Sequence, residues 1–171
     1  NFYLYNWVAQ KSLYKPFWVS DIFGGIADYA SVYASHFSTL NWILKLGPLH
    51  ITYPLKLMVF LEIAGLSMFT LLTFTEVAFV PALLAGSSYM FASLFITMFL
   101  RFWLPGAFAW VPLIILFAYL FVEKSKPWAF PLVSLFLAFS FLDGFMQSSA
   151  SILILLGLFL LVLYWRKKKA R

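Results

Sequence analysis

Between Phe145 and Trp165 the chain carries no charged residue, and the basic run Arg166-Lys-Lys-Lys-Ala-Arg171 follows at once. A helix needs roughly 20 apolar residues to cross a bilayer core. Lys and Arg collect on the cytoplasmic side of such spans. This stretch therefore reads as a transmembrane helix with a cytoplasmic end. It sets the class: an all-α integral membrane protein.

Four more apolar runs precede it. Residues 51–73 form a first candidate span and 77–100 a second. Residues 105–122 and 128–142 are shorter third and fourth candidates, short enough to form a re-entrant hairpin instead. The breaks are brief: Phe74-Thr-Glu-Val77, Arg101-Phe-Trp-Leu-Pro105, Glu123-Lys-Ser-Lys-Pro127 and Asp143-Gly144. The composition is 64% hydrophobic, more than a water-soluble domain of this length needs, so the runs are read as about five spans.

The chain divides at about residue 50. Residues 1–50 are expected to form an aromatic-rich, extracytoplasmic interfacial segment, 51–165 the transmembrane bundle, and 166–171 a basic cytoplasmic tail. Tyr3, Tyr5, Trp7, Tyr14, Phe17 and Trp18 suit the headgroup region. Lys11 and Lys15 can lay their stems along lipid and lift their amines to water. Pro16 stops any helix begun upstream, and Gly24-Gly25 permits a sharp turn. Residues 26–46 fit a helix lying near the interface, ended by Gly47-Pro48. The chain opens on Asn1 without a signal-peptide pattern, which fits a processed protein or part of a longer one.

The tail accounts for most of the net charge of +6 and orients the bundle. Counting back through five spans puts Lys124 and Lys126 inside. Residues 1–50, Arg101 and Asp143 fall outside. A basic run beside a membrane points to topology and anionic lipids, not to nucleic acid. Membrane lipids and other membrane subunits are the partners this implies. There are no cysteines, so disulfides, thiolate zinc sites and thiol nucleophiles are excluded. No phosphate-binding glycine loop, nucleophile elbow or HExxH motif is present, and His36 and His50 stand isolated. No cofactor is expected, and a divalent metal stays open.

A few polar residues stand out against this background. Glu62 lies mid-way along the first span, where a carboxyl marks function or a paired interior site. It is expected to be buried among helices in its uncharged form, with Gly65 one turn on allowing close approach. Asp143, Gly144, Gln147, Ser148 and Ser151 form a polar, small-residue stripe at helical spacing. Ser148 and Ser151 read as helix–helix contacts. Asp143 and Gln147 read equally as contacts or as the lining of an outer cavity. Arg101 either snorkels to the interface or grips a lipid phosphate. Asp21 and Asp28 stand seven apart, but Gly24-Gly25 interrupts any helix that would align them.

Pro16-Phe17-Trp18 followed by Ile22-Phe23-Gly24-Gly25 resembles the "PLWNPxxFGGxP" segment of the YfhO-type bacterial membrane proteins. These are multi-pass relatives of the GT-C superfamily of membrane glycosyltransferases. Ala64-Gly-Leu-Ser-Met-Phe69 is similar to their "AGLGMY" span. Residues 82–93 are similar to their "AAllaalvYmFSg" span. Trp110-Val-Pro-Leu-Ile-Ile-Leu116 resembles "WxPLxxL", and Leu142-Asp-Gly-Phe-Met-Gln147 resembles "LxGxPQ". The pieces keep the family order from about Leu13 to the end. Two departures stand out. Val19-Ser20 replaces the family's Asn-Pro, and Ile26-Ala27 follows the glycine pair where a residue and proline belong. The family's acidic motif lies upstream of this tryptophan, and nothing before Trp18 is acidic here.

The resemblance implies a multi-pass protein of the bacterial inner membrane with an extracytoplasmic active face. It implies sugar transfer, with inversion, from a polyprenyl-phosphate donor, assisted by a carboxylate base. Asp21 or Asp28 would have to serve as that base. Arg101 would meet the donor phosphate, and Trp18, Gly24, Gly25, Asp143 and Gln147 would contribute to substrate binding. The alternative is a non-catalytic transmembrane subunit packed in a larger membrane complex, which the missing upstream acid favours.

Overall fold

The computed structural model describes residues 18–19, 26–27, 38–92, 105–143 and 146–169. Among these, the one strand pairing is short: β1 (Trp18–Val19) runs antiparallel to β2 (Ile26–Ala27), with Trp18 opposite Ala27. A 3-10 helix, Asn41–Lys45, comes next. It is followed by α1 (Leu49–Phe74), α2 (Phe79–Met90), α3 (Pro105–Ala109), α4 (Val111–Val122), α5 (Ala129–Asp143) and α6 (Met146–Lys169). The expected interfacial helix over 26–46 is corrected at both described parts. Ile26 is β-branched and takes extended backbone, and Gly47-Pro48 leaves the 3-10 turn no room to lengthen.

Two helices are long and apolar enough to cross a membrane: His50–Phe74 and Ser148–Lys168, with mean hydropathies of 2.0 and 2.2. They correspond to the first and fifth expected spans. Phe79–Met90, Gly106–Val122 and Ala129–Asp143 are shorter apolar helices.

Local chemistry sets the helix ends. Pro48 holds extended backbone before α1, and its carbonyl accepts bonds from the N–H groups of Ile51 and Thr52. Pro54 sits inside α1 without the N–H that would have bonded the His50 carbonyl. At the other end Glu76 takes φ 67°, so that its N–H returns to Thr73 O and Val77 N–H to Leu72 O. This double return satisfies carbonyls that a helix C-terminus otherwise leaves open. The chain then reverses into α2. Gly65 and Gly86 make the α1–α2 contact close: a Cβ on Gly86 would lie 2.9 Å from Gly65 O.

The centre of the bundle is the break between α3 and α4. Pro112 lacks the N–H that would reach back to the Phe108 carbonyl, and the helix is interrupted at Trp110. Three hydroxyls from three other helices take up the loosened carbonyls. Ser140 Oγ donates to Ala107 O at 3.1 Å, Tyr89 OH to Phe108 O at 2.9 Å, and Ser67 Oγ to Ala109 O at 3.1 Å. Around this break Phe60, Ala64, Ala107, Ile114, Ile152 and Leu156 form the buried core. Trp110 packs against Phe136 and Phe139, with ring centroids 5.6 and 5.3 Å away.

Candidate functional site at one end of the bundle

The polar side chains converge where α5 ends. Asp143 is its last residue and is 4% exposed. An acid at a helix C-terminus meets the negative end of the helix dipole, so it needs donors from elsewhere. Three are supplied. Thr39 N–H donates to Asp143 Oδ1 at 2.6 Å, Thr39 Oγ1 to Oδ2 at 2.6 Å, and Trp110 Nε1 to Oδ2 at 2.7 Å. Gly106 makes the approach possible, since a Cβ there would lie 2.6 Å from Asp143 Cβ.

Lys56 completes the cluster. It lies about two turns into α1, or roughly 10 Å from its start at 1.5 Å per residue. It is 6% exposed, and its stem leads to an ammonium that donates to Asn41 Oδ1 at 2.6 Å. Asp143 is the carboxylate whose charge acts on it, and the Phe60 ring lies 5.8 Å from Nζ. Among the described residues, Asn41 is the one hydrogen-bond acceptor that this ammonium meets. An ammonium has three N–H bonds to give. In the segment before Asn41, Ser38 Oγ is buried with no partner among the described residues. Residues 38–45 are thus fastened over the bundle end by Thr39 on Asp143 and Asn41 on Lys56. Ile43 and Leu44 of this segment are buried.

This arrangement changes the expected roles. Asp143 does not line an open cavity: both its oxygens are taken by protein donors, because Trp110 and Thr39 reach it from the α3–α4 break and the 3-10 turn. Glu62 is exposed, not buried among helices. It lies in a groove between α1 and α2, on the face of α1 that the core does not use. Ser148 is buried and Ser151 exposed, so the stripe splits around α6. Asp21, Asp28, Gly24, Gly25 and Arg101 lie outside the described residues. Trp18 is placed by its backbone alone, in β1, and Gln147 by its backbone in α6. Sequence reasoning missed Lys56, Asn41, Thr39 and Trp110. The signal for Lys56 was present: it is an ionisable residue inside the first apolar run, as Glu62 is. Among the described residues no three metal-ligating side chains come together.

Comparison with family models, characterised proteins and solved structures finds no match to this chain.

Proposed function

We propose that the chain is the multi-pass membrane part of a glycosyltransferase-like protein. In this reading it handles a sugar carried on a polyprenyl phosphate at the extracytoplasmic end of the bundle, in a bacterial inner membrane. The observation that carries the reading is Lys56, a buried cation that donates to Asn41, feels the Asp143 charge and meets no second acceptor among the described residues. A lipid-linked donor presents a phosphate at the membrane surface, and a fixed cation stabilises the charge that develops as the phosphate departs. Lys56 and Arg101 together would meet that phosphate. Asp21 or Asp28 would take the proton of the acceptor hydroxyl. The Pro16–Trp18 and Ile22–Gly25 residues and the later motifs, which resemble the YfhO-type proteins in order, support the same reading.

Membrane insertion is supported by the low burial of the two long helices. Only 22% of the His50–Phe74 window and 28% of the Ser148–Lys168 window are buried inside the protein. Leu66, Ile154, Leu158, Val162 and Trp165 are among the exposed side chains, and lipid is the solvent that suits them.

The test is donor binding and transfer in lipid vesicles, using a polyprenyl-phosphate sugar. Lys56→Met should lose donor binding while Lys56→Arg retains part of it, with helix content followed by circular dichroism in both. Asp21→Asn or Asp28→Asn should lose transfer and keep donor binding. Full transfer in both Asn variants removes the base assignment.

A second reading is a non-catalytic membrane subunit. One observation favours it: Asp143, the best-placed acid among the described residues, spends both oxygens on Thr39 and Trp110. The absence of donor binding by the intact protein would select this reading.

A further inference from the structure

The groove beside Glu62 has a chemistry of its own. It is a cavity of about 450 Å³ between α1 and α2. Its walls are Leu66, Phe69, Phe79, Leu83 and Met90, and its floor is thinned where Gly65 and Gly86 let the two backbones meet. Glu62 and Ser87 are its polar side chains. Ser87 Oγ already donates to Leu83 O within its own helix. Glu62 makes no hydrogen bond or ion pair among the described residues. It sits thirteen residues into a helix of 26, so it is about as far as possible from either end.

An unpaired acid at that depth is unfavourable in lipid, and such residues pair with an opposite charge or a donor. A lipid headgroup does not reach the middle of a span. Two copies of this chain meeting groove to groove would bring like carboxyls together. The charge and the apolar walls therefore fit one occupant: a transmembrane helix that carries a Lys or Arg near its centre. We propose that the α1–α2 groove seats such a helix from a partner protein, with its basic side chain on Glu62. The inference rests on α1 crossing the membrane and not on the glycosyltransferase reading.

The probe is a synthetic Leu/Ala transmembrane peptide with a single central Lys, compared with the same peptide carrying Leu there. The full chain, with a photo-crosslinking residue at Leu83, is reconstituted with each in phosphatidylcholine vesicles. The Lys peptide should crosslink about tenfold more than the Leu peptide. Glu62→Gln, which keeps the size of the side chain, should erase the difference. Glu62→Lys should transfer the preference to a peptide with a central Glu. Equal crosslinking of the two peptides to the intact protein overturns the proposal. So does a crosslinked dimer of the chain, or a crosslink within the chain, which would put a second copy or the chain's own segment in the groove. Membrane crossing is read separately, by two-sided labelling of Ser12→Cys and Ala170→Cys, so its failure is distinguishable.

Discussion

Thr39 and Asp143 are 104 positions apart and meet through two hydrogen bonds of 2.6 Å, one from the Thr39 backbone and one from its hydroxyl. The pairing grips both carboxylate oxygens and fixes residues 38–45 to the far end of α5. Asp143→Ala would leave the Thr39 and Trp110 donors buried without acceptors. Losing a charged, buried hydrogen-bond partner costs on the order of 3–5 kcal/mol. Thr39→Val removes one bond and should cost about 1–3 kcal/mol. Asp143→Asn falls between, because its amide N–H2 faces a donor. Thermal unfolding in detergent should order the three as Ala worst, Asn next and Val mildest. An unchanged melting temperature for Asp143→Ala would mean the carboxylate does not hold the segment.

Two glycines separate close packing from helix propensity. At Gly106 an added methyl would meet Asp143 Cβ at 2.6 Å and its carbonyl oxygen at 2.9 Å, so backbone must move. Overpacking of this kind costs about 1–3 kcal/mol. At Gly157, in α6, nothing lies within 4 Å. Gly157→Ala should therefore be neutral or stabilise by up to about 1 kcal/mol through helix propensity. Opposite signs in the two melting temperatures are the expected result.

The hydroxyls at the α3–α4 break give a graded set. Tyr89→Phe, Ser67→Ala and Ser140→Ala each remove a donor from a carbonyl at the packed α3–α4 break. The expected loss is about 1–3 kcal/mol apiece. Tyr89→Phe should sit at the upper end, since Pro112 leaves the Phe108 carbonyl no backbone partner in its own helix. Infrared bands of free amide carbonyls, read on the three variants, should grow as stability falls. A Tyr89→Phe variant as stable as the parent would show that another donor reaches Phe108.

Much of this fold was legible because lipid imposes a simple rule on sequence. The charge-free run ending at Trp165 and the apolar run after Gly47-Pro48 became α6 and α1, the two long helices. The site was less legible. Asp143 stood out as a polar residue between apolar runs, but its partners did not. Thr39 and Trp110 are ordinary in their local sequence, and what makes them matter is a fold that closes 104 positions in one case. Lys56 was hidden for a different reason. A lysine near the start of a span suggests a snorkelling side chain, and only the buried Asn41 shows that it turns inward. Glu62 reversed its expected place because a mid-span acid can face the core or a groove, and periodicity alone does not choose between them.

The topology is the last expectation, and the helix packing gives it a sharp test. Lys167 Nζ donates to Val122 O at 3.0 Å, so the basic end of α6 and the turn after α4 share one end of the bundle. That turn carries Lys124 and Lys126, and the tail carries Arg166 and Lys168. The Thr39–Asp143 pairing marks another place, where α5 ends and α1 has yet to begin. Basic residues are retained on the cytoplasmic side, so the Lys167 end should face the cytoplasm and the Asp143 end the outside. The chain has no cysteine of its own, and single thiols can be placed without background. Ser12→Cys, Lys126→Cys and Ala170→Cys would be labelled in intact cells with a membrane-impermeant maleimide. Ser12→Cys should label before lysis, and the other two only after it. Labelling of Lys126→Cys from outside would put the turn that Lys167 contacts on the outer face, and would overturn the orientation.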